Sequence, residues 1–158
     1  LNAALCAWKE NPLMDLEKKY GRMCLKIHQV ERKLLLLNAA SLGEGDLDKI
    51  AVQYGKLEKS TLGSLVSTAR REKLLDEDLL DLLSTLVAAR NILVHRFIDV
   101  WADSLASSRS DVECIEKIGH VIVLAEGSHE RLSEELHRVA PGLLKFINRY
   151  FGLDELRT

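Results

Sequence analysis

Ser84-Thr-Leu-Val-Ala-Ala-Arg-Asn-Ile-Leu-Val-His-Arg-Phe97 lies in the middle of the longest helix-like run of the chain, and its two faces carry different chemistry. At 100° per residue, Ser84, Ala88, Asn91 and His95 fall on one narrow, small and polar face, which Asp81 and Asp99 continue. On the far side Leu79, Leu83, Leu86, Leu93, Phe97 and Trp101 recur at three- and four-residue steps as an apolar seam, and Arg90 falls inside it. A guanidinium stays protonated, so burying it unpaired costs several kcal/mol or more against a domain stability of ~5–15 kcal/mol. Three arrangements accommodate Arg90: a carboxylate partner in the core, a seam that opens at a cleft or subunit interface, or a local departure from the helical projection.

Outward from this stretch the chain reads as helices throughout. Asp76 is a natural cap for the central helix, with Glu77 and Asp78 in the first turn where the helix dipole favours negative charge, and the helix runs to about Ser104. Before it, Asn11-Pro12 reads as a helix start, and Leu16, Tyr20, Met23, Ile27, Val30, Leu34 and Leu37 form a heptad seam suited to a bundle helix or a coiled-coil contact. The two glycines of Ser41-Leu-Gly-Glu-Gly-Asp46 break that helix, and Asp46 caps a second over Leu47 to Lys59, with Ile50, Val52, Tyr54 and Leu57 as packing residues. Ser60 or Thr61 restarts the chain, and Leu62, Leu65 and Val66 pack a short helix running to about Lys73. After the central helix, Ser110-Asp-Val-Glu113 matches a capping box and opens the last long helix, striped by Val112, Ile115, Ile122, His129, Leu132, Leu136 and Val139. Gly127 marks a kink or a tight approach there, Pro141 stops the helix, and Leu143 to Phe151 form a short terminal helix that covers the bundle end.

Composition sets the frame. A chain of 158 residues fits one domain, 1–158, that buries roughly two thirds of its unfolded surface, with residues 1–11 as a flexible lead-in. Apolar content of 47%, only two prolines and no strand-like alternation point to an all-α bundle of about four main helices with short helices between them. A net charge of −2 does not advertise nucleic-acid binding, although Arg70, Arg71, Lys73, Arg90 and Arg96 provide a local basic cluster. Cys6, Cys24 and Cys114 are odd in number and widely spaced, which argues against a disulfide framework or structural zinc and suits a reducing cytoplasm. No apolar run approaches the ~20 residues of a membrane span, and no secretory leader is present at the start. His28, His120, His129 and His137 have no paired metal spacing, and the zinc-protease pattern opened by His129-Glu130 has Ser133 where its second histidine belongs.

Arg90-Asn91-Ile92-Leu93-Val94-His95 resembles the motif of the HEPN superfamily: arginine, usually a polar residue, a few apolar residues, then histidine. The resemblance implies a helical bundle, a homodimer, and a metal-independent endoribonuclease of toxin–antitoxin or anti-phage defence, with Arg90, Asn91 and His95 as the catalytic set and no cofactor. It also implies an antitoxin or other regulatory protein partner. The family pattern often places tyrosine two residues after the histidine, and in some relatives a partner nucleotidyltransferase modifies its hydroxyl with AMP. Here that position is Phe97, which puts this mode of control in doubt.

The residue types suit the chemistry. Cleavage of RNA at its own 2′-hydroxyl needs a base, positive charge where the phosphorane oxygens develop charge, and an acid for the leaving oxygen. Imidazole and guanidinium suit the first two roles, with Asn91, one turn before His95, to orient the ring or hold a phosphate oxygen, and Asp99, one turn after it, to bond the second ring nitrogen. Residues five apart on a straight helix point about 140° from each other and rise about 7.5 Å, so Arg90 and His95 of one helix cannot serve one phosphate. Two copies of the helix around a shared cleft remove the difficulty. The runner-up is a non-catalytic HEPN-like bundle that binds a nucleotidyltransferase or another regulatory partner. A helical regulator unrelated to the family would instead pair Arg90 with a carboxylate in its own core.

Overall fold

The computed structural model describes residues 12–107 and 112–143, and every regular element among them is helical. There are five such helices: α1 (Pro12–Leu42), α2 (Leu47–Leu57), α3 (Leu62–Arg71), α4 (Glu77–Ser107) and α5 (Val112–Val139). The bounds agree with those read from caps and periodicity to within about three residues. The expected asparagine cap at Asn11, the first half of the Ser110–Glu113 capping box, and the terminal helix beyond Leu143 lie outside the described residues.

Three long helices form the frame. α1 and α5 run parallel, because Arg22 and Lys26 reach Glu126 while Lys33, further along α1, reaches Ser133 further along α5. α4 runs against both, with Phe97 near its far end meeting Tyr20 near the start of α1, and Asp76 at its beginning meeting Arg131 late in α5. α2 and α3 carry the chain from the end of α1 to the start of α4 and cover that end of the bundle. Asn38, fully buried, fastens α1 to α3 by donating from Nδ2 to the Leu65 carbonyl at 2.9 Å.

The heptad seam of α1 is intrachain core. Leu16, Met23, Ile27, Val30, Leu34 and Leu37 are all buried, and Tyr20 is half-buried at the margin. Burying each large apolar side chain contributes ~1.5–3 kcal/mol, so this seam with the proximal seam of α4 dominates the packing. α4 contributes Leu79, Leu83, Leu86 and Leu93 as expected, and also Leu80, which the projection left aside.

The buried face of α5 differs from the expected stripe. Cys114, Ile118, Val121, Ala125 and Ser128 are buried together with Ile122, Leu132 and Leu136, whereas Val112 is 61% exposed and Ile115 and Val139 are half-buried. α5 is covered by α1 on one side and α4 on the other, so it buries an arc wider than a single stripe, and that arc admits small residues where backbones approach. In α2 only Ile50 is buried and Val52 is exposed, because that helix meets the bundle on one side. Gly127 is no point of close approach, since a Cβ there meets nothing within 4 Å.

Turns and caps obey the local chemistry. Asp46 Oδ1 accepts from the backbone N–H groups of Asp48 and Lys49, and Asp76 Oδ1 accepts from that of Leu79 at 2.7 Å. Gly43 is required by contact: a Cβ there would lie 2.5 Å from Ile50 Cγ1 and 2.8 Å from its backbone nitrogen. Gly45 takes φ of +79°, the left-handed region that favours glycine.

Candidate functional site

α4 divides at Arg90. Up to Leu86 its seam is fully covered by α1, α3 and α5. Beyond that residue Leu93 alone among the described positions is buried, Val94 and Phe97 are half-buried, and Ala88, Asn91, His95, Arg96 and Asp99 are exposed. Ile92 is 57% exposed, a high value for an isoleucine in the middle of a long helix. Among the described residues, the distal part of α4 thus leaves much of its surface uncovered.

Arg90 stands at a seam position, yet its side chain is exposed. Of the three arrangements open to it, the described structure has the opened seam. The guanidinium meets no carboxylate among the described residues; Nη1 donates to Asn91 Oδ1 at 3.0 Å, and the remaining donors are uncommitted among those residues. The bridge to its neighbour holds the guanidinium against the helix, and the planar fork is the group that binds phosphate oxygens in two-point fashion.

The sequence-derived trio is therefore only partly assembled. Arg90 and Asn91 are in contact, while His95 is exposed, without a hydrogen bond or ion pair among the described residues, and one turn beyond Asn91 on the polar face. Asp99 is exposed and does not bond the imidazole. α4 is helical without a break from Glu77 to Ser107, so Arg90 and His95 keep the angular separation of an unbroken helix. Ser84, at the head of the polar face, is half-buried, and its hydroxyl donates to the Leu80 carbonyl in its own helix.

One side chain near Arg90 was not among the sequence candidates. Tyr20 of α1 stacks on Phe97, with ring centroids 3.6 Å apart and planes inclined by 18°. Burial pushes the Tyr20 hydroxyl above the ordinary phenol range, with the charge and hydrogen bond of Cys24 acting in the same direction and the Arg90 guanidinium opposing. The signal was present in sequence as the one aromatic of the α1 seam. Its partner could not be read there, because the register of α1 against α4 is a tertiary property.

The other basic residues are mostly spoken for. Arg70 pairs with Asp81 at 3.0 Å and Glu77 at 3.8 Å, and Arg71 with Glu72 at 2.7 Å, so the cluster ahead of the central helix is a solvated ion-pair network. Lys33 donates to Ser133 Oγ, and burial lowers its pKa; His129, beside it, is lowered by burial and then by the charges of Lys33 and Lys26. His129 is a half-buried packing residue at the α1–α5 contact.

A groove of about 680 Å³ runs between α4 and α5, floored by Leu93, Val121 and Leu124 and edged by Ile92, Arg96 and His120. It lies on the opposite side of α4 from Asn91. Among the described residues no three His, Cys, Asp or Glu side chains converge as a metal site, and no helix is long and apolar enough to cross a membrane. No protein-family model matches the chain, and neither the curated proteins nor the solved structures provide a significant match.

Proposed function

We propose that the chain is a metal-independent endoribonuclease of the HEPN type, working as a homodimer in which the distal parts of two α4 helices enclose the RNA. The observation that carries this reading is Arg90: a guanidinium set in an apolar seam, exposed, without a carboxylate among the described residues, and held by Asn91 Oδ1 at 3.0 Å. A cation so placed is open to an anionic ligand. His95, on the same uncovered part of the helix, supplies the imidazole. In the dimer, Arg90 of one copy and His95 of the other serve one phosphate: His95 takes the 2′-hydroxyl proton or returns a proton to the leaving oxygen, and Arg90 stabilises the phosphorane oxygens. Asn91 keeps the guanidinium oriented. Activity of this kind needs restraint in the cell, which fits a toxin or anti-phage role in the cytoplasm with an antitoxin or other regulatory partner. Control by modification at position 97 has no hydroxyl to act on.

The test is incubation of the purified protein with a mixed RNA pool in EDTA, beside His95→Ala, with analysis of the product ends. Cleavage that persists in EDTA, leaves cyclic phosphate ends and is lost in the variant is the expected result. A folded dimer that cleaves none of several RNAs overturns the enzyme reading. The alternative, a non-catalytic binding module, is favoured by the apolar α4–α5 groove with Ile92 exposed at its edge. It predicts that Ile92→Glu abolishes partner binding while no RNA is cut.

A further inference from the structure

Tyr20 is the one member of the α1 seam, from Leu16 to Leu37, that is not buried, and its ring stacks on Phe97 in the distal part of α4. Its partner Phe97 and Arg90 are seven residues apart on an unbroken helix, which places them within about 20° of the same azimuth and about 10 Å apart along the axis. The charge of the Arg90 guanidinium acts on the phenol, and Arg90 and Cys24 are both exposed while Tyr20 is half-buried at the margin of the bundle. The phenol is also a fixed group: the near-parallel stack on Phe97 takes away the freedom of the ring, and a rigid donor loses less entropy on meeting a ligand than a free one.

We infer that Tyr20 is a further substrate-contacting residue of the Arg90 site, its hydroxyl donating to the nucleotide phosphate that Arg90 grips while the stacked Phe97 ring holds that hydroxyl in place. The inference rests on the ribonuclease reading for the identity of the ligand. Its chemistry is simple. A phosphate oxygen accepts several hydrogen bonds, Arg90 has one donor committed to Asn91, and the phenol, whose one O–H is hydrogen-bonded with the weakly accepting Cys24 thiol, exchanges that bond for the phosphate oxygen. A phenol is protonated at neutral pH, and burial and Cys24 act in the same direction, so it adds no negative charge to repel the ligand. No covalent step is assigned to it.

The experiment measures binding of a single-stranded RNA carrying 2′-O-methyl groups throughout, which cannot cleave itself, to the full chain and to Tyr20→Phe, Tyr20→Leu and Arg90→Ala. Tyr20→Phe keeps the stack and removes only the hydroxyl. The expected result is about tenfold weaker binding with an unchanged melting temperature, the size of one hydrogen bond to a charged oxygen. Tyr20→Leu, which also removes the stack, binds more weakly still. In the double variant Tyr20→Phe/Arg90→Ala the two losses fall short of adding, because both groups hold one phosphate. Equal affinity of Tyr20→Phe and wild type, with Arg90→Ala weakened, overturns the role of Tyr20 and leaves the ribonuclease reading intact. Binding that is lost as expected in Tyr20→Phe, in a protein that cleaves no unmodified RNA, supports Tyr20 and overturns the enzyme. Wild-type protein with no affinity for any RNA overturns both.

Discussion

The seams of α1 and α4 begin alike and end differently. Both repeat large apolar residues at three- and four-residue steps. In α1 the repeat is covered from Leu16 to Leu37 apart from the margin at Tyr20, whereas in α4 coverage is complete from Leu79 to Leu86, is interrupted at Arg90, and beyond it holds fully only at Leu93 among the described positions. The contrast teaches that apolar periodicity identifies a face capable of burial, and that the number of neighbouring helices decides whether the face is used. α1 has α5 along its length and α2 and α3 at its end. Among the described residues α4 has α3 only beside its beginning, and past Leu86 it keeps α5 on one side and the edge of α1 at Phe97.

The largest break in this comparison comes from truncating the covered part of α4. Leu83→Ala, at a fully buried position, is expected to cost ~2–5 kcal/mol, while Ile92→Ala on the uncovered part stays within ~0.5 kcal/mol, both read by urea unfolding. Equal losses at the two sites would mean that the distal face is covered in the folded monomer. A smaller effect tests how the α1 seam ends. Gly43→Ala forces a methyl onto the Ile50 backbone and is expected to cost ~1–3 kcal/mol, measured by the same unfolding curve, whereas Gly55→Ala, in open space, should be neutral or slightly stabilising.

The start of the α4 seam is set by Asp76. Its carboxyl is held below the ordinary aspartate range, first by the Leu79 backbone N–H and then by the Arg131 guanidinium. Asp76→Ala is expected to cost ~1 kcal/mol at neutral pH. A depressed folded pKa means that the stabilisation is fully present above the unfolded value near pH 4 and is lost as pH falls through the folded value below it. The wild-type and variant melting temperatures should therefore converge in that acid window; a gap that stayed constant down to pH 2 would count against the cap. The smallest effect belongs to Arg90. Because it is exposed and has no carboxylate among the described residues, Arg90→Ala should change thermal stability by less than ~0.5 kcal/mol while RNA cleavage is lost. A large loss of stability would return Arg90 to a structural role.

Much of this molecule was legible from residues alone. The all-helical class, the five described helices, the glycine break at Gly43 and Gly45, the caps at Asp46 and Asp76, and the buried seam of α1 follow from local preferences, because cap chemistry, left-handed turns and apolar periodicity act within about one or two turns of chain. The pairing of candidates on α4 was legible in part: sequence placed Arg90 in the apolar seam and Asn91 and His95 on the polar face, and the helix keeps them there.

What sequence could not decide is which faces find a neighbour. Val112 lay on the expected stripe of α5 and is exposed, while Ile118 lay off it and is buried; Leu80 was not on the expected seam of α4 and is core. The exposure of Arg90, its contact with Asn91, the stack of Tyr20 on Phe97 and the parallel run of α1 with α5 all depend on helix register and on which helix ends meet. These are settled by competition among apolar surfaces across the whole bundle, where each contact is weak and only their sum selects one arrangement.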